Sequence, residues 1–179
     1  MAPPRRRWAW HQLNPRWARR LVADADIPLG AVVLDVGAGF GALAAPLIAS
    51  GARVIAVEAH PGRARFLRDR FGRAIVVVQA DAGDLRLPLR PYHVVANPPF
   101  GVTAPLLRRL LQPGSRLVSA LLVLQEQAAR RWAGPNAPGV QRWGRTFDAS
   151  LGIRVPRSAF HPSPHVDARV LVIRRRCSA

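Results

Sequence analysis

Residues 31–41 read AVVLDVGAGFG, an apolar run that ends in an aspartate and passes into three closely spaced glycines. A short continuous apolar run without alternation predicts a strand buried on both faces. Gly37, Gly39 and Gly41 permit a tight turn and a close approach by a ligand, since no Cβ intervenes. An Ala/Leu-rich stretch follows to Ser50, with Gly51 to end it, and predicts a helix. Pro46 falls early enough in that helix for its missing N–H to matter little.

The same alternation repeats downstream. RVIAVE (53–58), AIVVVQ (74–79) and YHVVAN (92–97) predict further buried strands, separated by a helix over Pro61–Phe71 with proline in its first turn. Another helix is expected over 103–112, and RLVSALLVLQ (116–125) predicts a fifth strand that runs into a helix near Glu126. TFDASLGIRV (146–155) and RVLVIRRR (169–176) predict two last strands joined by a Pro-rich turn, and GPNAPGVQRWG (134–144) has the composition of a loop. Strands alternating with helices predict an α/β fold with a mostly parallel seven-stranded sheet and helices on both faces. Upstream, Trp10, Leu13, Trp17 and Leu21 share one face at helical spacing, which predicts a helix with a core-facing stripe.

Length and charge bound what such a fold works on. At 179 residues the chain is one domain, 8–179, behind a basic leader, 1–7. All 27 basic residues are arginine against 10 acidic ones, a formal charge of +17, which points to a polyanionic partner, nucleic acid ahead of membrane. Arginine in place of lysine reflects codon usage in a G+C-rich genome, but codon usage does not set the excess of base over acid. Cys177 is the single cysteine, so no intramolecular disulfide forms, and neither a signal peptide nor a membrane span is apparent. A cytoplasmic monomer is expected. His161 and His165 have a metal-like spacing, but Pro162 and Pro164 break the helix that would align them, so no metal is expected.

Two cofactors fit the glycine loop. GAGFGA matches the dinucleotide fingerprint, with Glu58 at the distance where an acid meets ribose hydroxyls. Alone, the segment suits NAD and S-adenosylmethionine equally. Asp81, beyond the third strand, could accept from the amine of a bound adenine, and a dehydrogenase needs more chain for its substrate. The decisive element is Asn97-Pro98-Pro99-Phe100, at the carboxyl end of the fourth strand where open α/β sheets bind ligands. Its residue types suit methylation of an exocyclic amine on a planar base. The lone pair of such a nitrogen is delocalised into the ring. The Asn97 side-chain oxygen and the Pro98 carbonyl can hold both N–H groups and localise that pair, while Phe100 stacks on the base. Positioning and electrostatics then supply the rate, with no strong general base.

These motifs resemble those of the rRNA adenine N6-methyltransferases, and within them the Erm type, which modifies 23S rRNA and confers macrolide–lincosamide–streptogramin B resistance. DVGAGFGAL, VEAH, VVQADAGDL and VVANPPF look like the family's first four motifs, and VPRSAFHPSPHVDARVLVIRR resembles its last. The resemblance implies a Rossmann-like class I methyltransferase fold and S-adenosylmethionine as cofactor. It implies cofactor contacts at Gly37, Gly39, Glu58, Asp81, Ala82 and Asn97, and at His11 and Leu13, where Trp10-His11-Gln12-Leu13 stands in place of the family's Gln-Asn-Phe-Leu. Phe160 carries over as a second ring for the flipped adenine, opposite Phe100. Most Erm enzymes continue into a helical C-terminal domain, and here the chain ends after the last strand. Part of the grip on RNA is therefore expected from Arg5, Arg6, Arg7, Arg16, Arg19 and Arg20, since residues 1–23 contain no acid. Alternatives are a small-subunit rRNA adenine dimethyltransferase, a DNA adenine methyltransferase, a non-catalytic RNA-binding relative and, on the glycine loop alone, an NAD-dependent oxidoreductase.

Overall fold

A computed structural model describes residues 11–177. Seven strands form one sheet: β2 (Val32–Val36), β3 (Arg53–Val57), β4 (Ile75–Val78), β5 (Tyr92–Ala96), β6 (Leu117–Gln125), β7 (Phe147–Val155) and β9 (Ala168–Arg175). Their order is β4-β3-β2-β5-β6-β9-β7. The first five in that order are parallel neighbours, while β9 runs antiparallel to both β6 and β7. Each predicted strand is present, and the mostly parallel architecture is as expected.

Helices cover both faces. On one, α1 (Pro15–Asp24), α2 (Ala44–Ala49) and α3 (Pro61–Phe71) pack Leu21, Leu47 and Leu67 against Val33, Val54 and Val95. On the other, α4 (Thr103–Leu110) and α5 (Glu126–Ala133) pack Leu106, Leu110 and Trp132 against Leu34, Val94 and Leu122. The central strands contribute to both layers, which is why their sequences carry no polar alternation. Pro46 is the third residue of α2, where an amide would still be unpaired.

Three local expectations change. Helix α1 starts at Pro15, because the Asn14 side chain caps it by accepting from the Trp17 amide and proline suits the first position. Gln12–Leu13 is a short strand, β1, paired antiparallel with β8 (Phe160–His161), so Leu13 reaches the core from a bridge and not from a helix face. Trp17 packs against the core, while Trp10 lies outside the described residues. The expected loop 134–144 contains one helical turn, α6 (Val140–Trp143), held by the buried Trp143, whose Nε1 donates to the Pro138 carbonyl at 2.9 Å. No helix among the described residues is long and apolar enough to cross a membrane.

Candidate active site

Parallel strands deliver their carboxyl ends to one edge of the sheet. Asp81, Glu58, Gly37 and Asn97 therefore follow four neighbouring strands, β4, β3, β2 and β5. Between the first of them lies a cavity of about 360 Å³, lined by Gly37, Glu58, Asp81, Ala82, Pro99 and Val102 among others. Two carboxylates and an apolar slot suit an adenosine, with acceptors for ribose hydroxyls and for an exocyclic amine.

Local hydrogen bonds hold the acids in place. Glu58 is 4% exposed; its Oε2 accepts from the Gly39 amide and its Oε1 from the His60 amide, both at 2.9 Å. Arg63 adds an ion pair at 3.7 Å. Asp81 is exposed and accepts from the Gly83 amide at 2.9 Å, which starts the turn that carries the buried Ala82. The glycine loop folds back on β3, with the Gly37 and Ala38 amides both donating to the Val57 carbonyl.

Gly37 has a second role that a fingerprint does not announce. Its φ is +77°, and a Cβ placed there would lie 2.7 Å from Pro99 Cδ and 3.3 Å from Pro98 Cα. The Asn-Pro-Pro-Phe tetrapeptide thus rests directly on the glycine loop. Asn97 is partly buried, and its Nδ2 donates to the His11 carbonyl at 2.7 Å. That bond orients the amide and leaves Oδ1 as its acceptor. Pro98 is buried, and the Pro99 carbonyl accepts from Val102 as a 3₁₀ turn begins at Phe100. The partly exposed Phe100 ring stacks with His11 at 5.9 Å between centroids, and His11 Nδ1 donates to the Pro162 carbonyl at 2.7 Å.

Behind Asn97 a narrow gap is lined by Gln12, Leu13, Asp35, Gly37, Ala38 and Asn97 among others. It shares Gln12, Leu13 and Ala42 with a wider groove of about 720 Å³ between α1 and α2, whose walls include Arg19 and Arg70. Asp35 is the acid of the first motif, to which the motif alone gives no role. It is 1% exposed, its Oδ2 has no hydrogen-bond partner, and its pKa is pushed up to about 8 by burial and then by the charge of Glu58. A carboxylate at the end of a strand buried on both faces was the available signal. A buried orphan carboxylate beside the glycine loop suits a cationic group, such as the amino group on the methionine part of S-adenosylmethionine. On that ground and on the adenosine slot, the residues present fit this cofactor.

The remaining candidates are more scattered. Phe160 is 6% exposed and packs in the first core layer with Leu13, its partner in the β1–β8 bridge. Arg16, Arg19 and Arg20 are exposed on α1; Arg20 lies over the Trp17 ring at 5.1 Å and pairs with Asp24 at 3.9 Å. Arg5, Arg6 and Arg7 lie outside the described residues.

Comparison with known proteins places this geometry. Residues 11–179 match the family model for ribosomal RNA adenine dimethylase. The mycinamicin-resistance protein MyrB of Micromonospora griseorubida is 40% identical over 150 residues, covering 80% of this chain and 47% of that protein. The ribosomal RNA small subunit methyltransferase A of a Synechococcus strain is 33% identical over 189 residues, covering 96% of this chain and 67% of its own length. The solved structure of the 23S rRNA methyltransferase ErmE superposes with a TM-score of 0.83 at 27% identity, covering 93% of this chain and 70% of ErmE. The chain spans about half the length of the first curated relatives it matches. The fold is the Rossmann-like class I methyltransferase fold, and the chain belongs to the ribosomal RNA adenine dimethylase family.

Proposed function

We propose that this chain transfers a methyl group from S-adenosylmethionine to the exocyclic N6 of an adenine in 23S rRNA, as a cytoplasmic monomer, and so confers macrolide–lincosamide–streptogramin B resistance. The observation that carries the reading is the Asn97 amide, fixed by its donation to the His11 carbonyl beside the adenosine slot. Asn97 Oδ1 and the Pro98 carbonyl accept the two N6–H groups, which pulls the nitrogen toward tetrahedral geometry and localises its lone pair. Phe100 supports the base on one side, with Phe160 as the second ring opposite it. When bound, S-adenosylmethionine supplies a sulfonium methyl whose bonding pair leaves with sulfur as the amine attacks. The N6 proton becomes acidic only after the new N–C bond forms and passes to water. Gly37, Gly39, Glu58, Asp81 and Ala82 would hold the adenosine part, with His11 and Leu13 as further contacts, and Asp35 would meet the amino group.

An amine inside a helix is out of reach, so the target is unstacked or comes from a single-stranded loop. The likeness to ErmE over nearly the whole chain favours a 23S target. The likeness to the Synechococcus enzyme, which is the more extensive in sequence, supports a second reading, in which the substrate is small-subunit rRNA. Transfer of labelled methyl to protein-free 23S rRNA, 16S rRNA and duplex DNA, with the site mapped, separates them. Label at N6 of one 23S adenine is the expected result. Label confined to 16S rRNA selects the second reading, and no transfer despite cofactor binding overturns both.

A further inference from the structure

Glu126 opens α5 immediately beyond the carboxyl end of β6, and its side chain is 20% exposed. Three guanidinium groups from three elements converge on its Oε1: Arg130 of α5 at 2.7 Å, Arg169 of β9 at 3.3 Å and Arg154 of β7 at 3.8 Å. Next to them Arg157 pairs with Asp167 at 3.3 Å, and the Asp167 carbonyl accepts from the Glu126 amide. Four arginines thus face two carboxylates and leave two positive charges in excess. Arg169 alone would tie the sheet to α5, since it is 21% exposed and its Nε already donates to the Gly152 carbonyl at 3.0 Å. Arg130 and Arg154 are different: they add like charges around one carboxylate while their side chains stay 53% and 72% exposed. Mutual repulsion at that density is relieved by a second anion, and a guanidinium fork matches phosphate oxygens.

We infer that Arg130, Arg154 and Arg169, preorganised by Glu126, form a phosphodiester site for the RNA strand that carries the target adenine. The inference rests on the rRNA reading above and deepens it. Position supports it. β6 is the direct neighbour of β5, which ends at Asn97, so the cluster occupies the same sheet edge. Ala96 pairs with Leu122, so Glu126 stands three residues beyond the level of Asn97 on the neighbouring strand, about 10 Å further along it, and the cluster extends from there over the next two strands. That suits the phosphates flanking an unstacked nucleotide. Glu126 carries a fixed negative charge there: burial raises its carboxyl, but hydrogen bonds from Arg130 and Arg169 and the charges of Arg154 and Arg130 outweigh that and hold it below the usual carboxylate range.

The test is equilibrium binding of the full chain, with S-adenosylmethionine present, to a single-stranded 23S rRNA fragment containing the mapped adenine, from 50 to 300 mM KCl. Arg130→Gln/Arg154→Gln should weaken binding about tenfold at the low-salt end and reduce the log–log salt slope by about 1.4, the loss of two single-strand phosphate contacts. Cofactor affinity and Tm should stay near wild type, because exposed ion pairs add little stability. A second variant, Glu126→Gln, keeps an oxygen acceptor while removing the opposing charge, and should bind the fragment more tightly with a steeper slope. An unchanged slope in the double variant, or equal or weaker binding by Glu126→Gln with Tm preserved, overturns the site and leaves methyl transfer by the wild type intact. A wild-type chain that neither binds nor methylates rRNA removes the underlying reading as well.

Discussion

The two halves of the sheet contrast in topology and in chemistry. On one side, β4, β3, β2 and β5 are parallel strands of four or five residues whose carboxyl ends bring Asp81, Glu58, Gly37 and Asn97 together from positions scattered along the chain. On the other, β6, β9 and β7 are eight or nine residues long and antiparallel, and the same sheet edge there carries Arg154 and Arg169 around Glu126. Parallel strands deliver a series of short loops to one edge, each free to hold a functional group. An antiparallel pair delivers one strand's end and the next strand's start, which crowds side chains from three elements onto one spot. The first arrangement suits an enclosed cofactor and a reacting atom, and the second suits an open charged surface for a long polyanion. Acids and amides gather in the one, guanidinium groups in the other.

The largest expected effect breaks the parallel half at its reacting end. Asn97→Ala should lower kcat on rRNA by about 10² to 10³, the loss typical of removing one preorganised partner at a transition state. Cofactor affinity should fall far less than kcat, and Tm should fall by only a few degrees for the lost bond to the His11 carbonyl. A kcat within threefold of wild type would remove Asn97 from the reaction. Gly37→Ala comes next. The positive φ costs an L-residue about 1–2 kcal/mol, and the new Cβ collides with Pro99, so the whole tetrapeptide must shift. A drop in kcat of about tenfold or more should accompany a lower Tm, because a displacement of an ångström at a reacting group is costly. Gly114→Ala is the control, since Gly114 has φ +79° but nothing within 4 Å of a Cβ. It should lose stability and keep kcat, and equal behaviour of the two variants would dissociate the glycine loop from Asn97. A smaller effect concerns the leader. Deleting residues 2–7 removes Arg5, Arg6 and Arg7 and should flatten the salt dependence of RNA binding by up to about 2 in slope. An unchanged slope would assign the phosphate contacts to the sheet edge and α1 instead.

The parallel half was largely legible in the sequence and the antiparallel edge was not. Apolar runs such as AVVLDV and RVIAVE encode burial on both faces, and residues just beyond such runs fall at one edge whatever the loop lengths. Glu58, Asp81 and Asn97 could therefore be placed from spacing alone. The Glu126 cluster depends on the register of β9 against β6 and β7, with Arg169 opposite Leu124 and Arg154, and no local pattern encodes that register. Gln12–Leu13 was misread because Trp10, Leu13, Trp17 and Leu21 imitate one helical stripe, while a two-residue bridge to Phe160 has no periodicity of its own. Asn14-Pro15 was the readable start signal. The turn α6 escaped because it is held by burial of Trp143 and not by helix propensity. The burial of Phe160 beside Leu13 follows from tertiary packing alone.

Asp35 tests whether the acids of the parallel half are there for a ligand or for the fold. An aspartate ionises near 3.9 in the unfolded chain, while in the fold burial and the neighbouring Glu58 push Asp35 up to about 8. Between those values the folded chain holds a proton that the unfolded chain has released. This contribution to stability is therefore complete below about pH 4, declines as pH rises, and is lost once pH passes about 8. Asparagine does not titrate, so Asp35→Asn removes that decline while leaving every other group in place. Thermal melts of the two proteins without cofactor should therefore diverge from pH 5 to 8, with the variant gaining several degrees relative to wild type, and run parallel above pH 9. With saturating S-adenosylmethionine the order should reverse near pH 8, because a cationic amino group favours the ionised aspartate and has no such partner in the variant. Parallel melts across the whole range would show that Asp35 ionises normally. Divergence without the reversal would make it a structural acid, and the parallel half would lose its claim to being shaped around a charged ligand.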